Sequence, residues 1–394
     1  MKNNMFEYIE RKSNEINIFK DKCNLVKEVK IESLTNVIKS KEELVYDLRL
    51  ENFKKYYHEL TNKNNFSVVD DFTYNYTYER FNGFVEVKNF VNKFYKINDK
   101  FTTSNYFTTS GMGAIVSLLT SLTRNFGYQV DLLHEETYFE TIKFLNISNC
   151  VSENKMLYVD TIASDYDFLF ENYIDDYSGI IIDTTCFHPF MFSNIIEKIL
   201  SMNKICILVR SHTKLDMMGF EFSHMGSISF IYNADSDHLY GDFISDCKHQ
   251  IGVIGACLPP DRFTTFFYDK DILELNLNRT RIISKNSEYL SELLSKDNYS
   301  VLLPNHKQFI VLNFNSDKIV LSDLKEKIVL FCKKNSTKFP IYHAVSFGFD
   351  YIALDCYDNY RDGKFKLRIS MTDYPIEIID MFYEEIKSFL KEII

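Results

Sequence analysis

Between residues 105 and 230 short apolar runs alternate with stretches of helical spacing, and this alternation restricts the possible folds more than any other feature. Val130-Asp131-Leu132-Leu133, Met156-Leu157-Tyr158-Val159, Gly179-Ile180-Ile181-Ile182 and Ile205-Cys206-Ile207-Leu208-Val209 are too short for helices and bounded by polar residues. Apolar spacing through Val116, Leu118, Leu119 and Leu122, and again over 166–173 and 194–202, predicts helices between them. Strands that alternate with helices build a mostly parallel sheet covered on both faces, because parallel neighbours need a crossover and the helices supply it. Open sheets of this kind bind ligands at the carboxyl ends of their strands. The residues that close each run are therefore the candidates for chemistry.

The rest of the chain divides around this core. Residues 1–65 are rich in Lys, Glu and Asn with mixed helical spacing at Leu44, Leu48 and Phe53, which predicts an N-terminal extension of exposed helices. Residues 66–285 form the large domain; within it 232–270 reads as loop-rich, and a long helix starts at Leu273. Residues 286–394 read as a smaller C-terminal α+β domain, with strands over 300–303, 309–314 and 365–370 and helices over 322–333 and 375–392. With 394 residues and 45 % hydrophobic content, the chain can bury both cores.

A net charge of −10 with dispersed basic residues argues against nucleic acid as a partner and for a small molecule. The eight cysteines are scattered and include no C-x-x-C pair, as expected of reduced thiols in a cytoplasmic protein. No apolar window is long enough to predict a membrane span.

Ser211-His212-Thr213-Lys214 follows the 205–209 run. A lysine there can form an imine with an aldehyde cofactor while the hydroxyls of Ser211 and Thr213 bind a phosphate, which is the pyridoxal phosphate arrangement. The plain alternative is a solvated lysine in a loop. Asp183 closes the 179–182 run, where an acid either caps the next turn or faces a pyridine nitrogen and keeps it protonated. Ser110-Gly111-Met112-Gly113 opens an apolar helix, so its first amides suit an anion, though a simple cap by Ser110 explains it equally. Tyr138 follows the 130–133 run and is available to stack on a planar ring. Arg80, in an aromatic loop with Tyr78, suits phosphate, and Arg368 inside an apolar strand pattern suits a carboxylate.

Taken in order, these pieces resemble the cystathionine γ-synthase and γ-lyase family of Cys/Met metabolism, which has the aspartate-aminotransferase-like fold (fold type I). Tyr78-Glu79-Arg80 with Asn82 resembles Y-S-R-x-x-N, and Ser110 to Ile115 resembles S-G-M-A-A-I. Asp183-Thr184-Thr185 with Pro189 is similar to D-N-T-x-x-x-P, Ser211 to Lys214 to S-A-T-K, Ser346-Phe347-Gly348 to S-L-G, and Leu367 to Ser370 to L-x-R-L-S. The resemblance implies pyridoxal 5'-phosphate held by Lys214, with Gly111, Met112, Ser211 and Thr213 at its phosphate. It implies Tyr138 stacked on the ring and Asp183 on the ring nitrogen. Tyr78 and Arg80 would reach the phosphate of a neighbouring subunit in a homodimer or homotetramer, and Arg368 and Ser346 would bind an amino-acid substrate. The implied catalytic residues are Lys214 and Tyr138, no metal is involved, and the implied reaction is β- or γ-elimination or replacement.

This chain also departs from the family. Only 45 residues separate Tyr138 from Asp183, which implies one trimmed βα unit, and no E-T-P-x-N-P segment is present. Leu215 to Gly219 lack Y-x-x-G-H, and Phe347 replaces a leucine. Three other readings stand beside elimination: an aminotransferase or other α-carbon reaction on the same fold, a non-catalytic binding protein, and metal-dependent hydrolysis through His134, His188 and His212.

Overall fold

The computed structural model describes residues 4–25, 29, 31–61, 67–69, 72–74, 86–134, 137–148, 150–161, 174–314, 321–358 and 365–393. The chain forms two compact units, one of Leu48–Asp216 with Phe222–Leu273, the other of Met1–Asp47, Met217–Glu221 and Glu274–Ile394. Its elements begin with α1 (Met5–Lys22), α2 (Leu34–Thr61), β1 (Ser67–Val69), β2 (Phe72–Tyr74), β3 (Glu86–Val87), α3 (Phe90–Tyr95), β4 (Thr102–Thr108) and α4 (Gly111–Thr120). They continue with β5 (Gln129–Leu132), α5 (Phe139–Ser148), β6 (Lys155–Asp160), β7 (Gly179–Asp183), α6 (Ser193–Ser201), β8 (Ile205–Ser211), β9 (Gly226–Tyr232) and α7 (Asp237–Val253). The last are α8 (Lys270–Lys296), β10 (Val301–Leu302), β11 (Phe309–Phe314), α9 (Leu321–Asn335), β12 (Ile341–His343), β13 (Ile352–Asp358), β14 (Phe365–Ser370) and α10 (Ile376–Ile393).

The first unit is built on a sheet of order β4-β9-β8-β7-β6-β5. Strands β5 to β8 are parallel, and β9 runs antiparallel to both β8 and β4. The mostly parallel sheet expected from the alternation is therefore present. Every residue of β7 and β9 is buried, as two-sided coverage of a central strand requires. Helix α4 covers one face with Ala114, Ile115, Leu118 and Leu119, beside Phe243, Ile244, Cys247 and Ile251 of α7. Burying each of the larger side chains contributes about 1.5–3 kcal/mol.

Helix α7 corrects the loop-rich reading of 232–270. Its apolar stripe is diluted by Gly241 and Gly252, so local propensity is poor, and burial on the sheet overrides it.

The second unit contains a sheet of order β10-β11-β14-β13-β12, antiparallel except for β12 beside β13. The N-terminal helices form where expected but are not simply exposed. They bury Tyr8, Lys12, Ile16, Phe19, Val37, Lys41 and Leu44 within this unit. Lys12 Nζ lies 3.0 Å from Glu15, 2.9 Å from Asp350 and 3.0 Å from Asp373, and Lys41 Nζ lies 2.7 Å from Asp350 and also meets Glu15. Arg279 reaches Asp350 at 3.4 Å. Such charges are tolerated inside a protein only beside opposite charges.

Candidate active site

The candidate site residues of the first unit lie at or near the strand ends that the apolar runs predict. Strand β8 is buried through Arg210 and emerges at Ser211, and Lys214 is half-buried three residues beyond the strand. On the adjacent β7, Asp183 pairs in register with Val209 of β8 and with Asp160 of β6. Its Oδ1 accepts the Thr185 amide at 2.9 Å, and the Thr185 hydroxyl accepts the Ser211 amide at 2.9 Å. The ends of β7 and β8 are thus tied together.

Asp183 is only 9 % exposed, and burial pushes its carboxyl above the usual range. The Thr185 hydrogen bonds and the positive charges of Arg210 and Lys214 oppose that push. Lys214 and Asp183 therefore share one electrostatic environment. Tyr138, half-buried before α5, donates its amide to Asp160 Oδ2 at 2.7 Å, which anchors it beside the Asp183 strand end.

At the mouth of α4, Ser110 Oγ accepts the Gly113 amide at 2.9 Å. Helix geometry gives the amides of Gly111 and Met112 no acceptor within the helix, so they are available to an anion. The mouth is seated by absent side chains. A Cβ on Gly111 would lie 2.8 Å from Ser211 Cβ, and one on Gly226 would lie 2.3 Å from the Ser110 carbonyl oxygen. Glycine at both positions lets the first turn of α4 pack directly against the Ser211 end of β8 and the start of β9, where any Cβ would collide, and so sets its amides beside Ser211 as an anion cradle. Met112 packs its side chain against the apolar cluster behind the helix, so only its amide can serve a ligand. Thr213 Oγ1 accepts the Met225 amide at 3.3 Å, which holds the segment before Lys214.

Lys214, Asp183, Tyr138, Gly111, Met112, Ser211 and Thr213 therefore belong to one unit at its sheet's carboxyl edge. Arg368 and Ser346 belong to the other. There Arg368 faces Asp355 across β14 and β13, with Nη2 3.5 Å from Asp355 Oδ2, its guanidinium 5.6 Å from the Phe309 ring centre and its Nε without a hydrogen-bond partner among the described residues. Ser346 is half-buried in a turn whose carbonyls at Gly348 and Phe349 accept Arg279 Nη2 at 3.1 and 2.7 Å. Tyr78 and Arg80 lie outside the described residues.

His188 Nε2 is 2.9 Å from the Leu273 carbonyl, and both His212 nitrogens have protein partners. Among the described residues no group of three or more His, Cys, Asp or Glu is placed to hold a metal.

Sequence reasoning missed Asp160, Thr185, Gly226 and Asp216. Asp160 had a readable signal, since it closes the 156–159 run as Asp183 closes 179–182. Gly226 opens a β-branched run, but nothing local shows that Ser110 will press against it.

No protein-family profile matches the chain, and no curated protein sequence matches it. Solved structures do. An 8-amino-7-oxononanoate synthase from Francisella tularensis is 13 % identical with a TM-score of 0.50, covering 87 % of this chain and 92 % of that one. An aminotransferase from Staphylococcus aureus is 12 % identical with a TM-score of 0.50, covering 86 % and 89 %. A putative aspartate aminotransferase from Leishmania major Friedlin is 11 % identical with a TM-score of 0.51, covering 86 % and 87 %. The likeness shows the fold, which is aspartate-aminotransferase-like.

Proposed function

We propose that this chain is a pyridoxal-phosphate-dependent enzyme that acts on an amino acid by β- or γ-elimination or replacement of a side-chain substituent. The observation that carries the cofactor assignment is the contact of Gly111 with Ser211, which sets the α4 amides beside the segment leading to Lys214, with Asp183 on the next strand. The cradle fits the cofactor: the Gly111 and Met112 amides with the Ser211 and Thr213 hydroxyls would hold its phosphate, Tyr138 its ring face and Asp183 its ring nitrogen. When bound, the cofactor supplies an electron-withdrawing ring that stabilises negative charge at the substrate α-carbon.

Each remaining role falls to a residue of the chain. Lys214 Nζ would hold the cofactor and, as a free amine, is the group that would take the substrate α-proton as a base. Asp183 would pair with the ring nitrogen; burial raises its carboxyl, and the hydrogen bonds of Thr185 and the charges of Arg210 and Lys214 oppose that push. Arg368 and Ser346 would take the substrate carboxylate. Arg368 has a donor to spare in its Nε, and its single 3.5 Å approach to Asp355 is too long for a strong pair. Tyr78 and Arg80 would complete the site of a neighbouring subunit in a homodimer or homotetramer of the cytoplasm.

Elimination or replacement is supported by the colinear motifs shared with the cystathionine enzymes. Transamination is the second reading, favoured by the aminotransferases among the structural neighbours. Adding pyridoxal phosphate to the purified protein is expected to give the visible absorption of a lysine-bound cofactor, and Lys214→Ala to abolish it. A wild-type protein that stays colourless would sink the cofactor assignment. Incubation with candidate amino acids and mass analysis of the products then separates the reactions. Loss of the side-chain substituent supports elimination or replacement, whereas an intact side chain on an α-keto product establishes transamination.

A further inference from the structure

Lys214 lies in a loop whose two ends are joined by side chains. At its start, Arg210 directs Nε and Nη2 at the two carboxylate oxygens of Asp216 at its end, at 2.7 and 2.6 Å. Between them, His212 Nδ1 stands 2.7 Å from Asp216 Oδ2 and Nε2 stands 2.8 Å from Ser227 Oγ. Arg210, His212, Asp216 and Ser227 are each 1 % exposed or less. A bidentate arginine–carboxylate pair fixes orientation as well as distance, and a fully satisfied buried network stiffens what it holds.

The protonation states follow from the surroundings. Burial pushes the Asp216 carboxyl up, but the charge and hydrogen bonds of Arg210, with that of His212, outweigh it and keep the group ionised. Burial holds the His212 imidazole below its ordinary value, against the pull of Asp216. The neutral ring thus donates from Nδ1 to Asp216 and accepts the Ser227 hydroxyl at Nε2. Ring contacts with Phe267 at 4.8 Å, Phe94 at 5.5 Å and Phe90 at 6.1 Å keep it in place.

Ser227 follows Gly226, against which the Ser110 carbonyl and the Gly111 amide are seated. One imidazole therefore connects the loop that carries Lys214 to the strand that seats the mouth of α4. In the S-A-T-K segment that this stretch resembles, the same position is an alanine, which can make neither hydrogen bond.

We propose that His212 is a positioning residue that sets the distance between the α4 anion cradle and Lys214, so that a molecule held by its phosphate presents its aldehyde to Nζ. This rests on the pyridoxal-phosphate reading and adds to it a residue that touches neither cofactor nor substrate. Because the role is one of registration, its loss separates two properties that a general weakening of the fold would lower together.

The test uses the full chain with His212→Phe, which keeps a ring but loses both hydrogen bonds, His212→Asn, which keeps a donor toward Asp216, and Ser227→Ala. Calorimetric titration with inorganic phosphate reads the cradle alone. Borohydride fixation of added pyridoxal phosphate, with the adduct mapped to Lys214 by mass, reads its meeting with the lysine. In His212→Phe, phosphate affinity is expected to stay within about twofold of wild type while fixation falls about tenfold or more, the scale of loss that a displaced reacting group produces. Ser227→Ala falls in between, and His212→Asn recovers part of the loss. The proposal is overturned if phosphate affinity and fixation fall in proportion, or if neither moves. Should His212→Phe fail to fold, Ser227→Ala decides by the same two readings. Wild-type protein that binds phosphate but is never fixed at Lys214 refutes the functional reading itself, whereas fixation unaffected by the variants refutes only the role of His212.

Discussion

Two clusters of buried carboxylates, one in each unit, are held in opposite ways. In the helix-capped unit, Lys12, Lys41 and Arg279 enclose Glu15, Asp350 and Asp373. Burial pushes the Asp350 and Asp373 carboxyls up, but the surrounding cations outweigh it and hold both well below the usual range. In the sheet unit, burial prevails at Asp183, and its carboxyl is raised. Charges that satisfy one another specify a fold, whereas an acid left above its ordinary value has something to gain from a cationic ligand.

The pH linkage has opposite signs at the two places. Asp350 and Asp373 contribute stability that is fully present above the unfolded value of about 3.9 and is lost as pH falls through their depressed folded values. Asp183 subtracts stability at neutral pH, and that penalty shrinks as pH falls below its raised folded value and is gone below the unfolded value of about 3.9.

The largest expected effect breaks the first network. Asp350→Asn leaves Lys12, Lys41 and Arg279 with too little negative charge, and the loss is expected to be about 3–5 kcal/mol in urea unfolding. Asp183→Asn, which can still accept the Thr185 amide, should leave the cofactor-free chain unchanged or stabilise it by up to about 1 kcal/mol while weakening pyridoxal phosphate binding. Equal destabilisation by the two substitutions would remove the contrast.

A pair of glycines makes a narrower comparison. Gly219 has φ +76, and an added Cβ would lie 2.3 Å from Asp350 Oδ2, so Gly219→Ala should cost about 1–3 kcal/mol, visible in the unfolding midpoint. An added Cβ at Gly226 meets the backbone of Ser110 and Gly111, and that strain falls on the cradle. Gly226→Ala is accordingly expected to lower inorganic phosphate affinity, read by calorimetry, in larger proportion than Gly219→Ala does. Equal phosphate affinity in the two variants would mean that the Gly226 contact does not shape the cradle.

How much of this could be read beforehand follows from where each interaction partner lies in the chain. Strands β5 to β9 and the β11 and β14 strands follow runs whose character is local, and the places of Asp183 at a strand end and of Lys214 just beyond one are legible because those runs end there. The buried stripe of α1, Tyr8, Lys12, Glu15, Ile16 and Phe19, was hidden by its own charges. Lys12 and Glu15 look like a solvated face until Asp350, 338 residues away from Lys12, is brought beside them. The pairing of His212 with Asp216 was equally invisible, because a spacing of four residues signals a contact on a helix but not in a loop. Helix α7 shows the reverse case, in which weak local propensity hid an element that packing on the sheet secures.

The smallest expected effect is also the most local, and it concerns a histidine in each unit. Burial pushes the His188 imidazole down to about 4, despite its hydrogen bond to the Leu273 carbonyl. Burial, and then the charge of Arg368, pushes His306 down to about 3. Both are neutral when folded and protonate in the unfolded chain below about 6.5, so each contributes stability that is lost as pH falls from there toward its folded value. Arg368→Met removes only the second cause at His306. Proton NMR titration of the imidazoles should then show the His306 midpoint rising by a fraction of a unit while that of His188 stays where it was. A carboxylate bound to the Arg368 guanidinium would cancel the same charge, so an amino acid added to the wild-type protein should move His306 in the same direction as the substitution. If the substitution moves His306 and no amino acid does, Arg368 is a structural partner of Asp355 rather than the receiver of the substrate carboxylate.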